Sequence, residues 1–118
     1  MTSLHDVYIN RVAAFLPNEP VTNDQMEEVL GMIGNTPSRV RKMILRSNAI
    51  KTRHYAINPA TRETTHTSTE LAVEAINDLI RQGMNVNEVS CLACGTSYPD
   101  QIMPGQGVMV HGLIPNSP

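Results

Sequence analysis

Thr67-Ser68-Thr69-Glu70-Leu71-Ala72-Val73-Glu74-Ala75-Ile76-Asn77-Asp78-Leu79-Ile80-Arg81-Gln82-Gly83, followed a few residues later by Val89-Ser90-Cys91-Leu92-Ala93, decides the class of fold. Thr67 with Glu70 three residues on is a capping box, in which each side chain takes an amide N–H that a helix start would otherwise leave unpaired. Leu71, Ala72, Ala75, Ile76, Leu79 and Ile80 then share one wide apolar face, and Gly83 supplies the stop. The spacing predicts an amphipathic helix. The short apolar run Val89 to Ala93 reads as a strand, and an order of strand, helices, strand predicts a crossover connection and parallel pairing in an α/β layer.

Working outward, Gly95 to Asp100 reads as a turn leading to a final helix across Gly107 to Leu113. On the other side, Thr61 to Thr67 holds four threonines and no apolar residue, the composition of a surface loop. Asn48 to Tyr55 reads as a short strand or an irregular connection. Thr36-Pro37 resembles the N-cap and first position of a short helix, with Val40, Met43 and Ile44 inward and Arg39, Arg41 and Lys42 outward. Thr22 and Gln25 suggest another capping box, before a stripe of Met26, Val29, Leu30 and Ile33 that Gly34-Asn35 closes. Val7 to Phe15, bounded by Pro17 and Pro20, reads as a first strand inside a sheet. Two strands do not make a stable parallel sheet, and the helical faces need more apolar surface than those strands supply. The expectation is an α/β fold that is incomplete in residues 1–118, with a remainder beyond Pro118.

Of nine Lys and Arg residues, seven (Arg39, Arg41, Lys42, Arg46, Lys51, Arg53 and Arg62) fall between Val29 and Arg62, a stretch without Asp or Glu, although the net charge is -2. Such sorting builds a local field that attracts phosphate-bearing or acidic partners, with a merely solvated face as the competing reading. Aromatic content is 3%, and Tyr55 alone lies in the basic stretch, which argues against nucleic acid bound by base stacking. The apolar runs are far shorter than a membrane span and Met1 to Arg11 lacks a secretory pattern, so the expectation is a cytoplasmic protein.

Cys91-x-x-Cys94 lacks the second ligand pair of a structural zinc site and precedes a turn rather than opening a helix, so buried structural cysteines are expected. The histidines at 5, 54, 66 and 111 are scattered and show no catalytic spacing. Gly105-x-Gly107 lacks the rest of a dinucleotide fingerprint. Met103 and Met109 suit a pliable apolar pocket, with core filler as the alternative.

Ala49-Ile50-Lys51-Thr52-Arg53-His54, the helix from Ser68 to Gln82, Val89 to Ser97 and Met103-Pro104, taken in that order, resemble the β-ketoacyl-acyl-carrier-protein synthase III family. That family has the form Gly-Ile-x-x-Arg-His before the helix, then a strand, a Thr-Ser turn and a downstream proline. The resemblance covers nearly the whole chain through short motifs. It implies a thiolase-like α/β/α/β/α architecture, of which residues 1–118 form the N-terminal portion of one half. It also implies decarboxylative Claisen condensation of an acyl thioester with a malonyl carrier thioester, in fatty-acid or polyketide-like synthesis. The cysteine, histidine and asparagine that the family uses for catalysis belong to parts outside this chain, so no catalytic residue is expected within it.

What the resemblance implies for this chain is a substrate entrance at Arg39, Arg41, Lys42, Met43 and Arg46 for coenzyme A or an acyl carrier protein, with phosphopantetheine thioesters as substrates and no separate cofactor or metal. The family's arginine ahead of Gly-Ile falls at Ser47, one position from Arg46. Its aromatic falls at Met43, and its glycine at Ala49. Met103 matches a residue that reaches across a homodimer to line the neighbour's acyl pocket. The implied partners are acyl-CoA, an acyl carrier protein, the remainder of the enzyme and a second copy, with neither nucleic acid nor membrane. The alternative from another class is a small non-catalytic α/β module whose basic face binds an anionic partner.

Overall fold

The computed structural model describes residues 6–116, which form a small mixed α/β arrangement. In chain order the elements are β1 (Val21–Thr22), α1 (Met26–Leu30), a 3-10 turn (Ile33–Asn35), α2 (Arg41–Asn48), β2 (Thr52–Arg53), α3 (Ser68–Arg81), a second 3-10 turn (Val86–Glu88) and α4 (Gln106–Leu113). β1 and β2 pair antiparallel, with Val21 opposite Arg53 and Thr22 opposite Thr52.

The α3 helix forms as its residues dictate. Thr67 Oγ1 accepts from the Glu70 amide at 3.2 Å, and Glu70 Oε2 accepts from the Thr67 amide at 2.7 Å, closing both halves of the capping box. At the other end Gly83 takes φ +90°, its amide donates to Ile80 O at 2.9 Å, and the Met84 amide donates to Leu79 O at 3.0 Å. These are the two bonds of a glycine-terminated helix end, which a side chain at position 83 would strain. α3 packs on α4, where Val110 is fully buried, while Val73 and Thr69 are buried on α3. Burying a valine contributes about 1.5–3 kcal/mol, so this pair of helices holds much of what core there is.

Both expected strands at the edges of the sequence differ from expectation. Val7 to Phe15 and Val89 to Ala93 run without helix, turn or ladder partner among the described residues, and no parallel pairing occurs there. A strand exists only by pairing, and among the described residues no main-chain ladder forms on either segment, although Gln82 bonds Arg11 and Val12 through single contacts. Val7, Ile9 and Val12 consequently stand 94%, 87% and 76% exposed. Cys91 and Cys94, expected to be buried, are exposed for the same reason. The polar run Thr61 to Thr67 is a surface feature, as expected, but an organised one. Asn58 Oδ1 accepts from the Ala60 and Thr61 amides at 2.9 and 3.3 Å, and Ile57 bridges Thr64 in an antiparallel hairpin.

α1 is shorter than its apolar stripe, because Gly31 at φ +85° ends it before Ile33. Gln25 Oε1 accepts from the Thr22 amide at 3.1 Å and from Thr22 Oγ1 at 2.8 Å, so only the returning half of the expected capping box is made. Arg62 Nη1 donates to Val29 O at 2.6 Å, placing a cation at the carbonyl end of α1 and tying that helix to the hairpin.

Candidate functional site

The basic stretch is divided between structural and open side chains. Arg53 Nη2 donates to Asn23 Oδ1 at 3.1 Å and Nη1 contacts Met26 Sδ, which binds β2 to the turn before α1. His54 Nδ1 lies 3.1 Å from Pro17 O and 3.0 Å from Asn18 O, while Asn18 Nδ2 donates to Tyr55 O at 2.7 Å and Thr65 Oγ1 at 2.9 Å. The Arg53-His54 pair therefore ties β2 to residues 17–26, and Asn18 carries the connection on to Thr65 beside the hairpin. With Arg62 on α1, two of the seven cations, Arg53 and Arg62, are occupied by structure.

Arg41 is a third. Its Nη1 sits 2.8 Å from Glu27 Oε2, with side chains only 19% and 15% exposed, and Glu27 Oε1 accepts from the Ser38 amide at 2.8 Å. Arg41 was expected to point outward beside Arg39 and Lys42. It faces α1 because Glu27 supplies a carboxylate to both ends of the segment that enters α2. The same tether explains why α2 begins at Arg41 rather than at Pro37: the Ser38 amide is satisfied by Glu27 and not by a helix cap. Arg41 and Leu45, four residues apart, make the face that α2 turns toward α1. Val40, Met43 and Ile44, expected inward, are consequently 51%, 68% and 54% exposed.

Between α1 and α2 lies a cavity of about 650 Å³ with a largely apolar wall that includes Met26, Leu30, Ile33, Ile44 and Leu45, and Arg39 is at its lining. Arg39, Lys42, Arg46 and Lys51 are exposed and make no ion pair or hydrogen bond among the described residues. The structure thus brings Arg39 and Arg41 to the cavity and leaves Lys42, Met43 and Arg46 on the open side of the same helix. Met103, 81% exposed, lies in the segment before α4 and does not line this cavity. Among the described residues no group of three or more His, Cys, Asp or Glu side chains gathers to hold a metal.

Ala49 closes α2 in the left-handed region at φ +56°, where glycine would meet no side-chain clash. Ala49→Gly is expected to raise stability by about 0.5–1 kcal/mol, since relief of this conformation outweighs the added freedom of the unfolded chain. An unchanged or lower urea midpoint would show that the conformation carries no strain.

One polar constellation has no counterpart in the motifs. Asp100 Oδ1 accepts from the Ser68 amide at 2.7 Å, and Oδ2 accepts from the Thr69 amide at 2.8 Å and from Thr69 Oγ1 at 2.5 Å. The Thr69 hydroxyl, assisted by these two amides, holds the Asp100 carboxyl below the usual carboxylate range. Its partners stand about thirty residues earlier in the chain, so local spacing carries no trace of it.

No family model and no curated protein matches the chain.

Proposed function

We propose that this chain is the N-terminal part of an acyltransferase of the β-ketoacyl synthase III type, in which the α1–α2 face forms part of the substrate entrance. The observation that carries the reading is a set of exposed cations, Arg39, Lys42, Arg46 and Lys51, without ion pairs among the described residues, of which Arg39 lines an apolar cavity, in a chain whose motifs follow the family's order. A carrier-borne acyl thioester combines phosphate or acidic side chains with an apolar tail, and this face offers a complement to each. In the reaction, a cysteine thiol supplied by the remainder of the enzyme attacks the acyl thioester carbonyl and releases the carrier thiol. Loss of CO2 from the malonyl thioester then yields the carbanion equivalent that attacks the acyl-enzyme, forms the new carbon–carbon bond and frees the cysteine. The residues named here steer and seat substrate, and none takes part in bond making. The proposed setting is a thiolase-like α/β/α/β/α homodimer, with Met103 of one copy at the acyl pocket of the other.

The test is charge reversal of the open cations in the intact protein, Arg39→Glu with Lys42→Glu and Arg46→Glu. Arg41 is left in place because its loss would release Glu27. The kcat/KM for a carrier-borne acyl substrate is expected to fall by about 10–100-fold at low salt, with kcat nearly unchanged and the difference shrinking as salt rises. Equal kcat/KM for the two proteins at low ionic strength would remove the entrance from this face. An intact protein that transfers no acyl group and releases no CO2, yet binds an anionic partner through these cations, would instead establish the non-catalytic basic module.

A further inference from the structure

The cavity between α1 and α2 carries an unequal set of charges. Glu27, Arg39 and Arg41 are the ionised side chains that line it. Both carboxylate oxygens of Glu27 are taken, one by Arg41 and the other by the Ser38 amide, so Glu27 and Arg41 offset each other. Arg39 is exposed and makes no ion pair or hydrogen bond among the described residues, which leaves the lining with a single uncompensated positive charge. Lys42, Arg46 and Lys51 lie outside that lining. A polyphosphate or an acidic helix has its match in the outer group, whereas the cavity matches one negative charge.

The wall decides what that charge is attached to. Leu30, Met32, Ile33 and Ile44 are each at least about half exposed, and all four line this one cavity. Aliphatic surface gathered around a concave space is covered best by an aliphatic chain, at a gain of about 25 cal/mol for each Å² removed from water. The cavity volume, about 650 Å³, lies within the range of about 300–1,000 Å³ usual for a small-molecule pocket. A mostly apolar wall with one charged group is also the composition of such a pocket, the wall supplying affinity and the charge fixing orientation.

We propose that this cavity binds a free fatty acid as its carboxylate, with the tail along Leu30, Ile33 and Ile44 and the head on Arg39. Binding of the free acid stands apart from the acyltransferase reading. Its consequence, that a hydrolysed acyl group competes with the carrier-borne one at the entrance, rests on that reading.

Isothermal titration of the intact protein with decanoate, 1-decanol and acetate separates head from tail. Decanoate is expected to saturate at one molecule per chain, 1-decanol to bind about fivefold or more weakly, and acetate to show no saturable binding. Arg39→Gln removes the charge and is expected to bring decanoate down to the level of 1-decanol. Ile44→Gln is expected to weaken both ligands alike. Lys42→Gln lowers the charge of α2 by the same amount outside the lining, and is expected to cost decanoate less than about twofold. Equal binding of decanoate and 1-decanol, or equal losses in Arg39→Gln and Lys42→Gln, would overturn the proposal and leave only a diffuse basic field. Saturation at several molecules per chain would overturn it in favour of unspecific adsorption on exposed aliphatic surface. In a carrier-substrate assay decanoate is expected to inhibit competitively, and binding without inhibition would support the cavity site while removing the competition. Charge reversal that left kcat/KM unchanged would overturn the entrance and not the decanoate site.

Discussion

Val110→Asp is expected to separate α4 from α3 and to destabilise the chain by more than about 4 kcal/mol, which is most of the stability of an ordinary small domain. Val110 is at 0% exposure, so the new carboxylate would enter the helix interface shut off from water. It must then stay charged in an apolar site, take up a proton, or force the helices apart, and each route loses the packing of the valine methyls. Val110→Ala separates the two contributions. It removes the methyls without adding charge and is expected to lose about 2 kcal/mol, from transfer and the cavity left behind. Urea unfolding of the two variants, with hydrogen exchange read along Thr69 to Val73 and Gln106 to Leu113, checks the ranking. A Val110→Asp protein with a normal midpoint would show that α4 does not rest on α3 in solution.

Glu27→Ala has the second largest expected effect. The carboxylate is held by Arg41 at 2.8 Å and by the Ser38 amide at 2.8 Å, and it is the connection between α1 and the entry to α2. Its removal leaves a mostly covered guanidinium without a counter-ion and an amide without an acceptor, a loss of about 1–3 kcal/mol once partial solvent access is taken into account. Because the α1–α2 cavity exists only while both helices keep their places, amide exchange over Ser38 to Leu45 is expected to speed up ahead of the rest of the molecule. Under the proposed acyltransferase function, use of a carrier substrate is expected to drop together with it, although every open cation is still present. Glu27→Gln is expected to restore the Ser38 contact and part of the protection, but not the ion pair. Undisturbed exchange over Ser38 to Leu45 in Glu27→Ala would mean that α2 is held by something else.

The legible parts of the fold are those whose causes lie within four residues. Thr67, Glu70 and Gly83 determine both ends of α3 because each bond closes on a near neighbour, and the apolar face between them follows from helical period alone. α4 was legible within one residue for the same reason. α2 was not: its start depends on Glu27, in another helix, capturing the Ser38 amide, and the same carboxylate draws Arg41 to the side that faces α1. Val7 to Phe15 and Val89 to Ala93 have the composition of strands, yet a strand requires a partner, and pairing is a property of distant residues. The site divides along the same line. The clustering of cations was visible in the sequence, but the assignment of Arg41, Arg53 and Arg62 to internal duties was not, since Glu27, Asn23 and Val29 become their neighbours only after folding. Asp100 left no local signal at all.

The two unladdered segments also govern how this polypeptide behaves in company. Along Val7 to Phe15 and Ser90 to Ala93, no main-chain amide donates to a carbonyl among the described residues and aliphatic side chains stand exposed beside them, the combination through which extended segments pair with other chains. Timing then weighs as heavily as affinity. A correct neighbour that arrives first seals the edge, and a late one finds it already taken by another copy.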